Sequence, residues 1–88
     1  GRLSLHLYMQ KAMLENQHDE VIRLSDIYFS SQNRNASTDT DVALLRALSL
    51  MGKGDTENAK TYLKSIIQYG GALHNVTIAK HYLDTLTE

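Results

Sequence analysis

The 88-residue chain contains neither cysteine nor proline. Without cysteine it forms no disulfide and no thiolate metal site. That composition suits a reducing compartment. At the usual abundance of about 5%, roughly four prolines would be expected. Helix interiors are where proline is least tolerated, so its absence points to helices. An excess of one charge is missing too. Nine Lys and Arg face ten Asp and Glu, for a net charge of −1. The signs are interspersed, which argues against nucleic-acid binding, because that needs a clustered basic stripe. No apolar run approaches the ~20 residues that span a bilayer. The N-terminus does not pair a charged segment with an apolar one, so no signal-peptide pattern is visible. The length allows one domain. A core of that size is marginal, and such domains often lean on staples or partners.

What is present is helical periodicity. A first helix is predicted over about Leu3 to Glu15, with Leu5, Tyr8, Met9, Ala12 and Met13 on one side. A second covers about His18 to Ser30, where Val21, Leu24, Ile27 and Tyr28 recur at three- and four-residue steps. Ser31 to Thr38 reads as a polar loop. A third helix follows over about Asp39 to Met51, capped by Thr38 or Thr40. It is apolar nearly all round: only Arg46 and Ser49 interrupt Val42 to Met51. Such a helix must be covered on more than one side, by neighbouring helices or by a partner.

Gly52 suits the left-handed residue that ends a helix. Asp55 is placed to cap a fourth helix over about Thr56 to Tyr69, with Glu57 near its positive end. Gly70-Gly71 stops that helix, and a fifth runs from His74 or Asn75 to Leu86. Its stripe is Val76, Ala79, Tyr82, Leu83 and Leu86.

The turn Lys53-Gly54-Asp55 followed by a small Ala59 has the pattern of a helix–turn–helix unit of a tetratricopeptide-like (TPR-like) repeat. The turn Asn16 to Glu20 before Val21 repeats it 38 positions earlier, without glycine and with valine as the small residue. The standard spacing is about 34, and the Ser31–Thr38 loop supplies the excess. The expected fold is therefore all-α, a right-handed superhelix of antiparallel hairpins in a single domain. It holds about two and a half repeats: unit one over 3–30, unit two over 39–69 and a half unit over 74–86. Solenoids usually need three repeats, so a partner is expected to complete this one. Tyr82, Leu83 and Leu86 are expected to lack a covering helix.

The second unit resembles one branch of this superfamily. Leu45-Arg46, Ser49-Leu50-Met51, Lys53-Gly54-Asp55 and Ala59 match the small TPR-like chaperones of bacterial type III secretion systems, which hold the needle subunit. Arg46 is the most telling element, since a generic repeat has leucine there. Asn16, His18-Asp19-Glu20-Val21, Leu24 and Ile27 are similar to the family's first turn and second helix. The resemblance covers about residues 3 to 69 and fades after Gly70; members usually continue into a sixth helix. It implies a cytoplasmic bacterial heterotrimer of repeat protein, small helical co-chaperone and needle-type subunit. The subunit's amphipathic C-terminal helix would lie in the concave groove, which prevents early polymerisation. The resemblance implies no cofactor, no metal and no small-molecule substrate.

With Ala47 as the small position of the third helix, the groove residues one turn either side are Leu44, Leu48 and Met51. A 34-residue shift adds Ile78 and Tyr82, and the first helix contributes Met13 and Leu3. Anchors at such spacing suit helix-in-groove recognition. Arg46, Gly54, Asp55 and Ala59 are the structural motif, with Arg46 expected to be partly buried against a carboxylate.

Other residue types carry less. His6, His18, His74 and His81 are not spaced to bind a metal together and read as solvated or capping. Ser25-Asp26 offers no nucleophile–base–orienter set, so no enzyme is expected. Gly70-Gly71 follows no strand and precedes no Lys-Ser/Thr, so it is not a phosphate loop. Lys53, Lys60 and Lys64 read as a solvated face. Two functions stay open: the secretion chaperone, and a generic TPR-like adaptor joining two soluble proteins.

Overall fold

A computed structural model describes residues 2–32, 34–70 and 72–87, with side chains from residue 5 onward. Those residues form five α-helices and no strand: α1 (Arg2–Leu14), α2 (His18–Phe29), α3 (Ala36–Gly52), α4 (Thr56–Tyr69) and α5 (Leu73–Thr87). Each helix packs on its neighbours in sequence, giving successive antiparallel hairpins. α3 also touches α1 and α5, while the backbones of α2 and α4 do not approach each other closely. The odd-numbered helices therefore make one layer and the even-numbered ones the other. The thinnest dimension, 19 Å, fits two layers of helices, each about 10–12 Å across, and not three.

This topology explains the apolar character of α3. It is the one helix in contact with all four others. It buries Val42, Ala43, Leu44, Ala47 and Leu50. One core lies between α1, α2 and α3, built on Met9, Ala12, Val21, Leu24, Tyr28 and Val42. A second lies between α3, α4 and α5, built on Ala43, Leu44, Ala47, Leu63, Ile66 and Ala79. Ala59 is fully buried, as its role as the small residue of the hairpin requires.

The helix ends differ from expectation in two places. α3 begins at Ala36, so Ala36-Ser37-Thr38 are helix and not loop. Its cap is neither Thr38 nor Thr40 but Asn35, which is extended and accepts a 2.8 Å bond from the Thr38 N–H. Thr40 instead lies buried and bonds the Ser37 carbonyl at 2.9 Å. Gly52 is the second difference. It closes α3, and the left-handed residue is Gly54, at φ 85°. Gly52 serves another purpose: a Cβ there would run into the His18 ring, with Cε1 at 2.7 Å and Nε2 closer still. Only glycine lets the His18 ring lie on α3 as closely as it does.

The Asp55 cap stands where the sequence placed it, with its side chain accepting from the Asn58 N–H. Gly70 ends α4 at φ 77°, its N–H bonded to the Ile66 carbonyl at 2.9 Å. Gly71 and the side chain of Leu3 lie outside the described residues. Tyr82, Leu83 and Leu86 are half-buried against the second core, better covered than a helix without a following partner was expected to leave them. Among the described residues, the exposed large apolar ones are Leu7, Tyr8 and Leu14 on α1, Ile27 on α2, and Tyr69 and Leu73 at the α4–α5 corner.

Candidate partner-binding surfaces

The α1–α3–α5 layer carries the expected groove residues unequally. Leu48, Ile78 and Tyr82 come together on the second core, each half-buried with apolar surface left over. Leu44 joins them but is only 8% exposed, so it is a core residue first. Met51 is half-buried near the end of α3. Met13 is separate from this group. It packs on the first core, and its sulfur accepts a 3.3 Å bond from the Ser49 hydroxyl. The surface is therefore strongest between α3 and α5 and weaker towards α1. On α4, in the other layer, Lys60 is half-buried and 3.6 Å from Glu57, whereas Lys64 is exposed.

Arg46 lies on the other side of α3, in the gap that α2 and α4 leave between them. One guanidinium nitrogen reaches the Asp26 carboxylate at 2.5 Å, the Ser25 hydroxyl at 2.6 Å and the Ile22 carbonyl at 3.3 Å. The guanidinium also lies over the Tyr62 ring of α4, 5.0 Å from its centroid. Its Nε is buried without a hydrogen-bond partner. Arg46 is thus partly buried and carboxylate-paired, as its place in an apolar helix requires. The carboxylate belongs to this chain. Because the Asp26 side chain is 65% exposed, the pair is desolvated only on the arginine side.

Two polar pins escaped the sequence reading. Asn75, buried on α5, donates to the Thr40 hydroxyl at 2.9 Å and the Asp41 carboxylate at 2.6 Å, which fixes α5 on α3. The phenol of buried Tyr28 donates to Asp39 at 2.7 Å, which ties α2 to the start of α3. The available signal was Asn75 standing one turn before Ala79 on a buried stripe, where a polar residue needs a partner. At the first turn, Arg23 donates two bonds of 2.6 and 3.0 Å to Glu20 and holds its carboxyl below the ordinary range.

Beyond Arg46, the gap between α2 and α4 opens into a cleft of about 410 Å³. Phe29, Ala43, Tyr62, Ile66 and Tyr69 supply its apolar wall, and Asp39, Thr40 and Ser65 its polar groups. Its volume lies within the roughly 300–1,000 Å³ of small-ligand sites. Among the described residues no group of three or more His, Cys, Asp or Glu is placed to hold a metal. No described helix is long and apolar enough to cross a membrane. Comparison of the chain with protein-family models, curated proteins and solved structures finds no match.

Proposed function

We propose that this chain is a helix-holding chaperone of a bacterial type III secretion system. In this reading it cradles the amphipathic C-terminal helix of a needle-type subunit on the α1–α3–α5 layer. A small helical co-chaperone completes the complex, and the subunit is kept from polymerising in the cytoplasm. The observation that carries the proposal is the cluster of half-buried Leu48, Ile78 and Tyr82, with Met51 beside it, on two adjacent helices of one layer. These side chains are ordered by the core beneath them yet keep apolar surface that water contacts. That combination is what a groove for a hydrophobic helix needs. The Leu45-Arg46 to Ala59 motif supports the same family.

The test is co-purification or calorimetric titration with the partner's C-terminal helix, on variants shown folded by circular dichroism. A few central anchors dominate such grooves. Leu48→Glu is expected to weaken binding at least tenfold, and Lys64→Glu to leave it unchanged. Full binding by folded Leu48→Glu moves the partner off this layer. The adaptor reading would then be the better one, and the α2–α4 cleft is the observation that favours it.

A further inference from the structure

The α2–α4 cleft lies on the layer opposite the proposed groove, so what it binds is a separate question from the chaperone reading. Two of the aromatic residues that line the cleft already carry a cation on their rings. The Arg34 guanidinium sits 5.5 Å from the Phe29 centroid, and Arg46 lies over Tyr62. Arg34 is held in place at the end of α2. It donates to the carbonyls of Phe29 and Ser31, where a helix terminus favours a cation, and it pairs with Asp39 at 3.3 Å. Neither arginine lines the cleft itself, but their charges on two of its wall rings disfavour a cationic guest, so the aromatic lining is not an ammonium cage.

Asp39 is the one carboxylate among the described residues that line the cleft. A single oxygen, Oδ1, takes both the Tyr28 phenol and the Arg34 guanidinium. Oδ2 accepts no hydrogen bond from a described residue, and Asp39 lines the cleft. A neutral ring carrying one hydrogen-bond donor fits this arrangement. The ring would pack among Phe29, Tyr62, Ile66 and Tyr69, and its donor would reach Oδ2. Tyr28 already makes the same phenol-to-carboxylate bond from inside the fold. Because the backbones of α2 and α4 stand apart, the cleft opens to solvent between them, beside the exposed Tyr69. A ring attached to a polypeptide can therefore enter without its backbone being buried.

We propose that the α2–α4 cleft is a second binding site, and that it takes one tyrosine side chain of a partner polypeptide. The experiment is an NMR titration of the full chain with N-acetyl-tyrosinamide, N-acetyl-phenylalaninamide, p-cresol and benzylamine. N-acetyl-tyrosinamide and p-cresol are expected to shift the resonances of Ala43, Ser65, Ile66 and Tyr69. The phenylalanine analogue should bind at least threefold more weakly than the tyrosine one, and benzylamine more weakly still. Ser65→Phe, which fills the cleft from α4, and Tyr69→Ala, which strips an exposed wall, should each weaken N-acetyl-tyrosinamide at least threefold. In Asp39→Asn, the remaining oxygen serves Tyr28 and the amide nitrogen replaces the free acceptor. The preference for tyrosine over phenylalanine should then vanish in a chain still folded by circular dichroism. No binding at several millimolar overturns the proposal. So does tightest binding of benzylamine, or a tyrosine preference that Asp39→Asn leaves intact. Binding of p-cresol with exclusion of N-acetyl-tyrosinamide overturns it as well, since the site would then take free phenols and not a residue in a chain.

Discussion

Hairpin α1–α2 and hairpin α3–α4 turn at Asn16 and Gly54, 38 positions apart, and close with the same bonds. The Asn16 N–H reaches the Met13 carbonyl at 3.1 Å, and the Gly54 N–H reaches Met51 at 3.0 Å. Gln17 bonds Ala12 at 2.9 Å, and Asp55 bonds Leu50 at 2.8 Å. Both turn residues are left-handed, at φ 57° and 85°. Met9 and Ala47 are fully buried at equivalent places, as are Val21 and Ala59. Yet few side chains coincide. One backbone is specified by a left-handed position and a set of buried positions, and each hairpin meets those demands with its own residues.

What separates the hairpins is their surroundings. Tyr8 and Arg46 are equivalent under the 38-residue shift. Tyr8 is 62% exposed, whereas the Arg46 side chain is 16% exposed, because Arg46 is flanked by both α2 and α4, while among the described helices only α2 lies beside Tyr8. Leu7 and Leu45 differ in the same way, one exposed and one packed on the first core. The N-terminal edge thus shows in solvent the face that the second hairpin buries.

The comparison predicts its largest effect at the small position. Ala47 and Ala59 let α3 and α4 meet closely, and that pair packs most extensively of all. Ala59→Leu should overpack it and cost about 1–3 kcal/mol. Val21→Leu adds a single methylene in the first hairpin, where α1 and α2 pack less extensively, and should cost less. Thermal or urea melts of both variants decide this, and equal losses, from one added carbon at Val21 against three at Ala59, would mean that the first hairpin is the tighter of the two.

The turns come next. A Cβ added at Gly54 would meet no atom within 4 Å, so only the backbone conformation resists substitution there. Gly54→Ala should cost about 1–2 kcal/mol, the penalty of a left-handed non-glycine residue. Asparagine tolerates that conformation through local hydrogen bonding, so Asn16→Gly should change stability by no more than about 0.5 kcal/mol. If Asn16→Gly stabilises the chain by as much as Gly54→Ala destabilises it, then Asn16 is strained and the two turns are not equivalent.

These turns show what was legible in the sequence. Asp55, Ala59 and the stop at Gly70 were readable because local rules decide them. Arg46 was readable because a charge in an apolar helix must be paired. The start of α3 was not, since Ser37 and Thr38 have loop-like composition and the cap at Asn35 depends on where the chain leaves α2. Nor was the role of Gly52, which depends on a histidine 34 positions away in sequence. Leu44 was placed in the groove by repeat spacing, but whether α5 or solvent meets it is a tertiary matter. Asn75 and Tyr28 found partners on other helices, which periodicity does not reveal.

A smaller effect tests the caps. Gln17 has nearly the backbone angles of Asp55, φ −92° and ψ 73° against −87° and 70°, but makes no side-chain cap bond. Gln17→Asp should supply the missing acceptor for the α2 N-terminus and stabilise the chain by about 0.5–1 kcal/mol. A melting temperature at or below that of the parent would show that the turn holds the side chain away from the helix end.

The smallest effect distinguishes close approach from helix propensity at Gly52. Alanine is preferred to glycine inside a helix by roughly 0.5–1 kcal/mol, and Gly52 is not left-handed, so Gly52→Ala has something to gain. Against that stands the His18 ring, whose Cε1 and Cδ2 lie 2.7 and 2.9 Å from the new methyl position, with Nε2 nearer than either. These are ring atoms at the end of a rotatable side chain, and His18 is only half-buried, so the ring can swing out. Doing so forfeits its packing on α3 and its long 3.4 Å contact with the Ser49 hydroxyl. The two terms should nearly cancel, leaving Gly52→Ala within about 0.5 kcal/mol of the parent. In a His18→Ala background the clash is absent, and the same substitution should stabilise the chain by a few tenths to about 1 kcal/mol. The measurement is a double-mutant cycle by urea denaturation. Additivity would mean that the imidazole never rests on Gly52 in solution, and that the glycine is retained for the turn alone.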